Sequence, residues 1–292
     1  MTTPLIGCGQ VTWHNNDEDG ALGDIAAAGY EGAPPKIPEG VTASAILERL
    51  DRAGLKAAPP YFAGSFWDPD HEQAILKRAH EVGDLAKQIG CTELFVAAGG
   101  GGFQAPSGAA RSAAAGHVTP DDMMSDAEFG QFAKTLSAFG RITLEYGVRS
   151  CFHNHVGTVI ETRTELDRLM ELCSADDVFL GIDTGHLAWA GMDVVEVCSD
   201  YRDRIRSLHL KDIDESVRET GAREGWDYDT FTRNGIFAEL GEGDVDFAGL
   251  KAVLDEVDFA GWLIVETDVT SLPTPLESAK VSREYLRNAF GW

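Results

Sequence analysis

Four short segments carry most of the residues that could do chemistry: His153-Asn154-His155, Asp183-Thr184-Gly185-His186, His209-Leu210-Lys211-Asp212 and Glu266-Thr267-Asp268. They hold four of the eight histidines, and each follows directly on a short apolar run. Taken singly, each has an ordinary explanation. A histidine at a strand end is commonly a hydrogen-bonded rim residue, Asp183 could cap the next helix, and Glu266 could be a buried salt-bridge partner. Taken together, carboxylates and imidazoles on four successive strand ends form a charge cluster that a cation must compensate. His153 and His155 point to one side of their strand and Asn154 to the other, while a turn after Asp183 can bring His186 to the same place. Mixed oxygen and nitrogen donors suit Mn2+, Co2+, Fe2+ or Zn2+ better than Ca2+ or Mg2+, and no paired-cysteine zinc spacing is present.

The elements that must position these groups follow from the apolar pattern. Eight runs recur: 5–11, 29–33, 55–59, 93–98, 148–152, 178–182, 205–210 and 262–266. Their apolarity is continuous rather than alternating, as expected of strands buried on both faces of a parallel sheet. Amphipathic helical patterns lie between them, at 43–50, 68–89, 125–146, 164–172, 247–257 and 277–290, several stopped by glycine. Eight strand–helix repeats predict a single-domain (β/α)8 barrel over residues 1–292, with functional residues at the C-terminal strand ends. A doubly wound nucleotide-binding sheet would need a glycine fingerprint after the first strand, and Gly7-Cys8-Gly9-Gln10 lacks the third glycine. The Gly99-Gly100-Gly101-Gly102 run lacks the lysine and Ser/Thr of a phosphate loop, so it reads as a loop over the barrel mouth. Two long insertions, about 99–121 and 213–243, read as lids.

With 48 acidic against 24 basic residues and a net charge of −24, the chain is expected to repel nucleic acid and anionic membranes. No run approaches 18 apolar residues, and the first residues show no basic, apolar leader. The five cysteines are an odd number and widely spaced. They suit buried thiols in a reducing cytoplasm, although Cys151, near two histidines, could be a nucleophile. A homo-oligomer is compatible with the sequence, but no seam is legible.

The motifs carry a resemblance. Trp13-His14-Asn15-Asn16-Asp17, Phe152-His153-Asn154-His155-Val156-Gly157-Thr158, Asp183-Thr184-Gly185-His186-Leu187, His209-Leu210-Lys211-Asp212, Gly241-Glu242-Gly243-Asp244-Val245-Asp246-Phe247 and Gly261-Trp262-Leu263-Ile264-Val265-Glu266 occur in order over nearly the whole chain. In these segments the chain resembles the xylose-isomerase-like family of sugar isomerases, epimerases and dehydratases, and His-x-His-x-Gly-Thr favours the dehydratase branch. The resemblance implies a divalent metal held by a Glu, an Asp, a His and a Glu on strands five to eight. Asp183, His209 and Glu266 match three of these, and His153 stands where the fifth-strand Glu would be. The usual Glu after the second strand is also absent, replaced by Ala33-Pro34.

The chemistry so implied is loss of water, or of another β leaving group, from a cyclic keto-polyol such as 2-keto-myo-inositol, with Mn2+ or Co2+ preferred and Mg2+, Fe2+ or Zn2+ possible. Glu266 is the candidate base for the proton beside the ketone, and His155 or His186 the candidate acid for the departing hydroxide. Lys211 could hold a substrate oxygen or pair with Asp212 at the rim. Trp13 could wall the substrate ring or pack in the core, and Asn15 could bond a hydroxyl. Isomerisation or epimerisation of a ketose is the alternative activity, and a sugar-binding barrel without catalysis is the alternative of another class.

Overall fold

The computed structural model describes residues 3–14, 17–99 and 102–292. The strands are β1 (Leu5–Cys8), β2 (Gly32–Ala33), β3 (Lys56–Ala57), β4 (Tyr61–Gly64), β5 (Glu93–Ala98), β6 (Arg149–His153), β7 (Phe179–Asp183), β8 (Ile205–Leu210), β9 (Asp212–Ile213), β10 (Phe237–Ala238) and β11 (Trp262–Val265). The helices are α1 (Glu18–Ala28), α2 (Ala43–Ala53), α3 (Glu72–Gln88), α4 (Asp126–Glu145), α5 (Arg163–Leu172), α6 (Thr184–Trp189), α7 (Val194–Asp200), α8 (Glu215–Glu224), α9 (Tyr228–Arg233), α10 (Phe247–Glu256) and α11 (Pro275–Phe290).

All the strands but β9 and β10 form one parallel sheet in the order β3-β2-β1-β11-β8-β7-β6-β5-β4. Its two ends, β3 and β4, are consecutive halves of one stretch of chain, which closes the sheet into the predicted barrel. Pro59-Pro60 separates the halves because neither proline has an N–H for a ladder. The ladder is nevertheless kept: the Ala58 amide bonds the Ala33 carbonyl on one side, and the Phe95 amide bonds the Pro60 carbonyl on the other. The expected third strand, ending at residue 59, is therefore corrected; it resumes at Tyr61 and reaches Gly64. The first strand is shorter than expected, ending at Cys8, and the fifth and sixth run one residue further, to His153 and Asp183.

Inside the barrel, Phe95 is fully buried with Ala58, Trp262 and Ile264. Gly181 has to be glycine because a Cβ there would lie 2.6 Å from the Phe95 ring. The Phe95 ring in turn sits 4.1 Å from that of His209, so the barrel floor supports the chemistry above it. Helices are fixed by their caps: Ser125 with Glu128 and Thr162 with Glu165 form capping boxes. The 213–243 insertion is not a bare loop. It contains α8, α9 and the antiparallel β9–β10 pair, and a separate apolar cluster of Trp189, Ile213, Phe231, Ile236 and Phe237 seats it on the barrel.

Candidate active site

The C-terminal ends of β6, β7, β8 and β11 bring His153, Asp183, His209 and Glu266 together. His153 Nε2 lies 3.9 Å and His209 Nδ1 3.8 Å from Asp183 Oδ2, and His209 Nδ1 lies 3.1 Å from Glu266 Oε2. Asp183 does two jobs. Its Oδ1 accepts from the His186 amide and caps α6, while Oδ2 is buried without a hydrogen-bond partner. His153 Nδ1 and His209 Nε2 are likewise buried without a hydrogen-bond partner. Glu266 is held against the first strand: a Cβ on Gly9 would fall 2.1 Å from its Oε1.

Beside this group lies a second one. The Lys211 ammonium is 2.7 Å from Asp268 Oδ1, 3.3 Å from Asp183 Oδ2, 3.6 Å from Glu266 Oε2 and 3.3 Å from His186 Nε2. The expected alternative, a rim pair of Lys211 with Asp212, is not formed. Asp212 instead accepts from the backbone amides of Ile213, Gly241, Gly243 and Val245, tying the insertion to the end of β8. His155 gives its Nδ1 proton to the Val156 carbonyl at 2.7 Å, leaving Nε2 as an acceptor. Its ring lies 3.7 Å from that of His186.

The charges do not balance. Asp183, Glu266 and Asp268 face one ammonium, so the carboxylates outnumber the lysine by two. Burial raises the Asp183 carboxyl above its ordinary value, against Lys211 and His209. Burial opposes ionisation of Glu266 too, but His209 and Lys211 outweigh it and hold Glu266 down at about 2. Burial, then the neighbouring cations, lowers His153, His155 and His186, so all three are neutral at neutral pH. An excess of carboxylates over ammonium groups, and ligand atoms of His153, Asp183 and His209 that all lie within 4.8 Å of one another with Glu266 against His209, fit a divalent cation.

The site opens into a cleft of about 750 Å³, whose walls include Gln10, Trp13, Pro34, Tyr61, His153, His155, His209, Lys211, Glu266 and Asp268. Trp13 is both cleft wall and core residue, and its indole N–H donates to Asp24. His186 is fully buried behind His155. Asn15 lies outside the described residues, as do Gly100 and Gly101. Cys151 is excluded as a nucleophile: its thiol is buried and pushed up to about 12 by burial and Glu93. Sequence reasoning missed Tyr61, whose ring packs 5.3 Å from His153. It also missed Tyr228, whose ring stacks 5.9 Å from His155. Asp268 was named with Glu266 but given no role; the structure sets it against Lys211.

Residues 22–289 match the family described as xylose isomerase-like TIM barrel. The chain belongs to this family. It is 30% identical to an inosose dehydratase of Geobacillus kaustophilus, over 96% of this chain and 93% of that one. An inosose dehydratase of Klebsiella pneumoniae is 29% identical over 92% and 89%. Among solved structures, D-allulose 3-epimerase from a Methylomonas species, in complex with D-allulose, superimposes with a TM-score of 0.71 at 15% identity, covering 99% of this chain and 98% of that one. A probable 3-DHS dehydratase from Bacillus anthracis gives 0.69 at 14% identity over 98% and 99%. The xylose isomerase-like chain described here is an enzyme whose curated relatives are named inosose dehydratases, and its barrel is shared with a probable dehydratase and an epimerase.

Proposed function

We propose that the chain is a metal-dependent carbon–oxygen lyase that removes water from a cyclic keto-polyol of the inosose type. The observation that carries this reading is the pairing of two unlike groups in one cleft: a ligand-like cluster of His153, Asp183, His209 and Glu266, and a proton-handling cluster of Lys211, His186, His155 and Asp268. His153, Asp183, His209 and Glu266 would hold a divalent ion, Mn2+ or Co2+ by preference, which when bound would supply the positive charge that acidifies the C–H beside a ketone. Glu266, ionised throughout the neutral range, receives that proton. Lys211, kept protonated by Asp183, Asp268 and Glu266 against the pull of burial, donates to the departing oxygen with His186 hydrogen-bonded behind it. His155 is less suited to the role of acid, because its only proton is committed to Val156. It serves instead as an acceptor for a substrate hydroxyl. Tyr61 and Trp13 wall the ring.

Two-glutamate epimerisation is disfavoured because only Glu266 reaches the centre and an imidazole stands opposite it. The test is incubation of the metal-loaded protein with 2-keto-myo-inositol, following water loss as a new enone or dione absorbance. Epimer formation without that absorbance would move the assignment to the epimerases. Metal bound without any turnover, unaltered by Glu266→Gln, would leave only a binding protein. The cleft of about 750 Å³ supports a small-molecule substrate, and no helix among the described residues is long and apolar enough to cross a membrane. A cytoplasmic location and a homo-oligomer are compatible proposals.

A further inference from the structure

Glu161 is nearly as buried as any acid in the protein, at 2% exposure, and the catalytic scheme does not use it. Neither oxygen meets a cation. Oε1 accepts from the Gly116 amide at 2.7 Å and Oε2 from the Gly157 amide at 2.7 Å. These amides belong to different loops: Gly116 lies in the long connection after β5, and Gly157 in the turn after β6. Both glycines have positive φ, +73° and +79°, and both lie under aromatic rings of the site. A Cβ at Gly116 would come 2.9 Å from the Trp189 indole nitrogen, and one at Gly157 would come 3.2 Å from the Tyr228 ring. Trp189 stacks on His186 at 6.0 Å and Tyr228 on His155 at 5.9 Å. The turn itself is closed on His155, whose carbonyl accepts from the Thr158 hydroxyl at 2.7 Å.

We infer that Glu161 is a positioning residue: its carboxylate fastens the loop after β5 to the turn after β6 and so fixes His155 and the two rings stacked on the site's histidines. This rests on the proposed role of His155 as a substrate-facing group. Both backbone amides need an acceptor, which a carboxylate supplies twice and a carboxylic acid or an amide only once. Burial raises Glu161 to about 7 even though the Gly157 amide, Arg111 and the Gly116 amide oppose it and Glu165 adds to it. The charged groups that bear on it are Arg111 and Glu165, which pair with each other at 2.7 Å, and Glu165 also accepts from the Glu161 amide; His117 follows Gly116 in the chain and bonds the Trp226 carbonyl, and the Tyr228 ring lies over Gly157. The clamp therefore holds above neutral pH and loosens below it.

The test uses the full-length protein and the variant Glu161→Gln. Amide hydrogen exchange, corrected for intrinsic rates, is expected to show slow exchange at Gly116 and Gly157 at pH 8 in the parent, faster exchange at pH 6, and fast exchange at both pH values in the variant. This readout does not depend on turnover, so it judges the clamp even if the proposed reaction is wrong. On the keto-polyol, kcat of the parent is expected to fall on the acid side of about pH 7, and the variant's kcat to be lowered roughly tenfold at pH 8 without that limb, with KM changed little. Equal protection of the two amides in parent and variant at pH 8, or a variant with the parent's kcat and the same acid limb, would overturn the inference.

Discussion

Replacing Gly9 by alanine tests the placement of Glu266 without touching a charged group. Gly9 is not among the glycines with positive φ, so alanine brings no backbone strain. The new Cβ would stand 2.1 Å from Glu266 Oε1, 2.6 Å from Cγ and 2.7 Å from Cδ, whereas ordinary contacts begin near 3.4 Å. Protein interiors are close-packed, so the carboxylate must retreat by about 1 Å or more. A misplacement of that size costs about 10²-fold in rate, roughly 2.7 kcal/mol of barrier. Gly9→Ala is therefore expected to lose about two orders of magnitude in kcat, with thermal unfolding shifted by no more than a few degrees. The assay is steady-state elimination on 2-keto-myo-inositol, with circular dichroism melting and metal content measured on the same sample. A variant that keeps full kcat and full metal content would refute the assignment of Glu266 as proton acceptor and ligand, because no other side chain contacts the Cβ so closely.

Other expectations follow from the same geometry. His209→Ala, or prolonged chelation of the parent, should remove the bound divalent ion by elemental analysis and lower the melting temperature, since an ion that binds only the folded chain stabilises it. Arg111→Met should cost about 3–5 kcal/mol in denaturant unfolding, because it strands the buried Glu165 carboxylate that Arg111 meets at 2.7 Å. An unchanged midpoint would show that the three backbone and hydroxyl donors to Glu165 suffice alone. Folded Glu161 binds its proton more tightly than an unfolded glutamate with an ordinary value near 4.5. Its contribution to stability is thus present below about pH 4.5 and lost as pH rises through about 7, amounting to about 3 kcal/mol. Unfolding curves at pH 5 and pH 8 should show the parent losing about 2.5 kcal/mol more than Glu161→Gln, the rest being lost already below pH 5. All five thiols are buried, with Cys91, Cys151 and Cys198 raised to about 12. A thiol-alkylating reagent at pH 8 should label none of them by mass spectrometry until the protein is denatured.

The site was legible in the sequence to the extent that parallel strands all end on one face. Once His153, Asp183, His209 and Glu266 each terminate an apolar run, barrel closure alone gathers them. What the sequence hid depends on breaks and on distant partners. Tyr61 was hidden because Pro59-Pro60 interrupts the apolar pattern, although the ladder continues across it through Ala58 and Pro60. Tyr228 sits on a short helix in an insertion whose charged sequence says nothing of which strand end it covers. Glu161 follows a buried apolar run, and its partners at Gly116 and Gly157 are backbone amides, which no residue-type pattern records. The surface charge of −24 and the excess negative charge at the site are separate matters. Most of the acids are exposed or paired with arginine and lysine around the rim, while the site's deficit arises from three carboxylates meeting one lysine.

Gly9 and Glu266 also bear on how the protein is made. β1 pairs with β11, so β1 waits for β11 before the barrel can close. The four central residues emerge in the order 153, 183, 209 and 266, with α11 after them. A nascent chain therefore carries His153, Asp183 and His209 without their final carboxylate from position 209 until position 266 is reached. An ion that needs all four residues would be selected only once β11 is made, in the same step that seals the barrel.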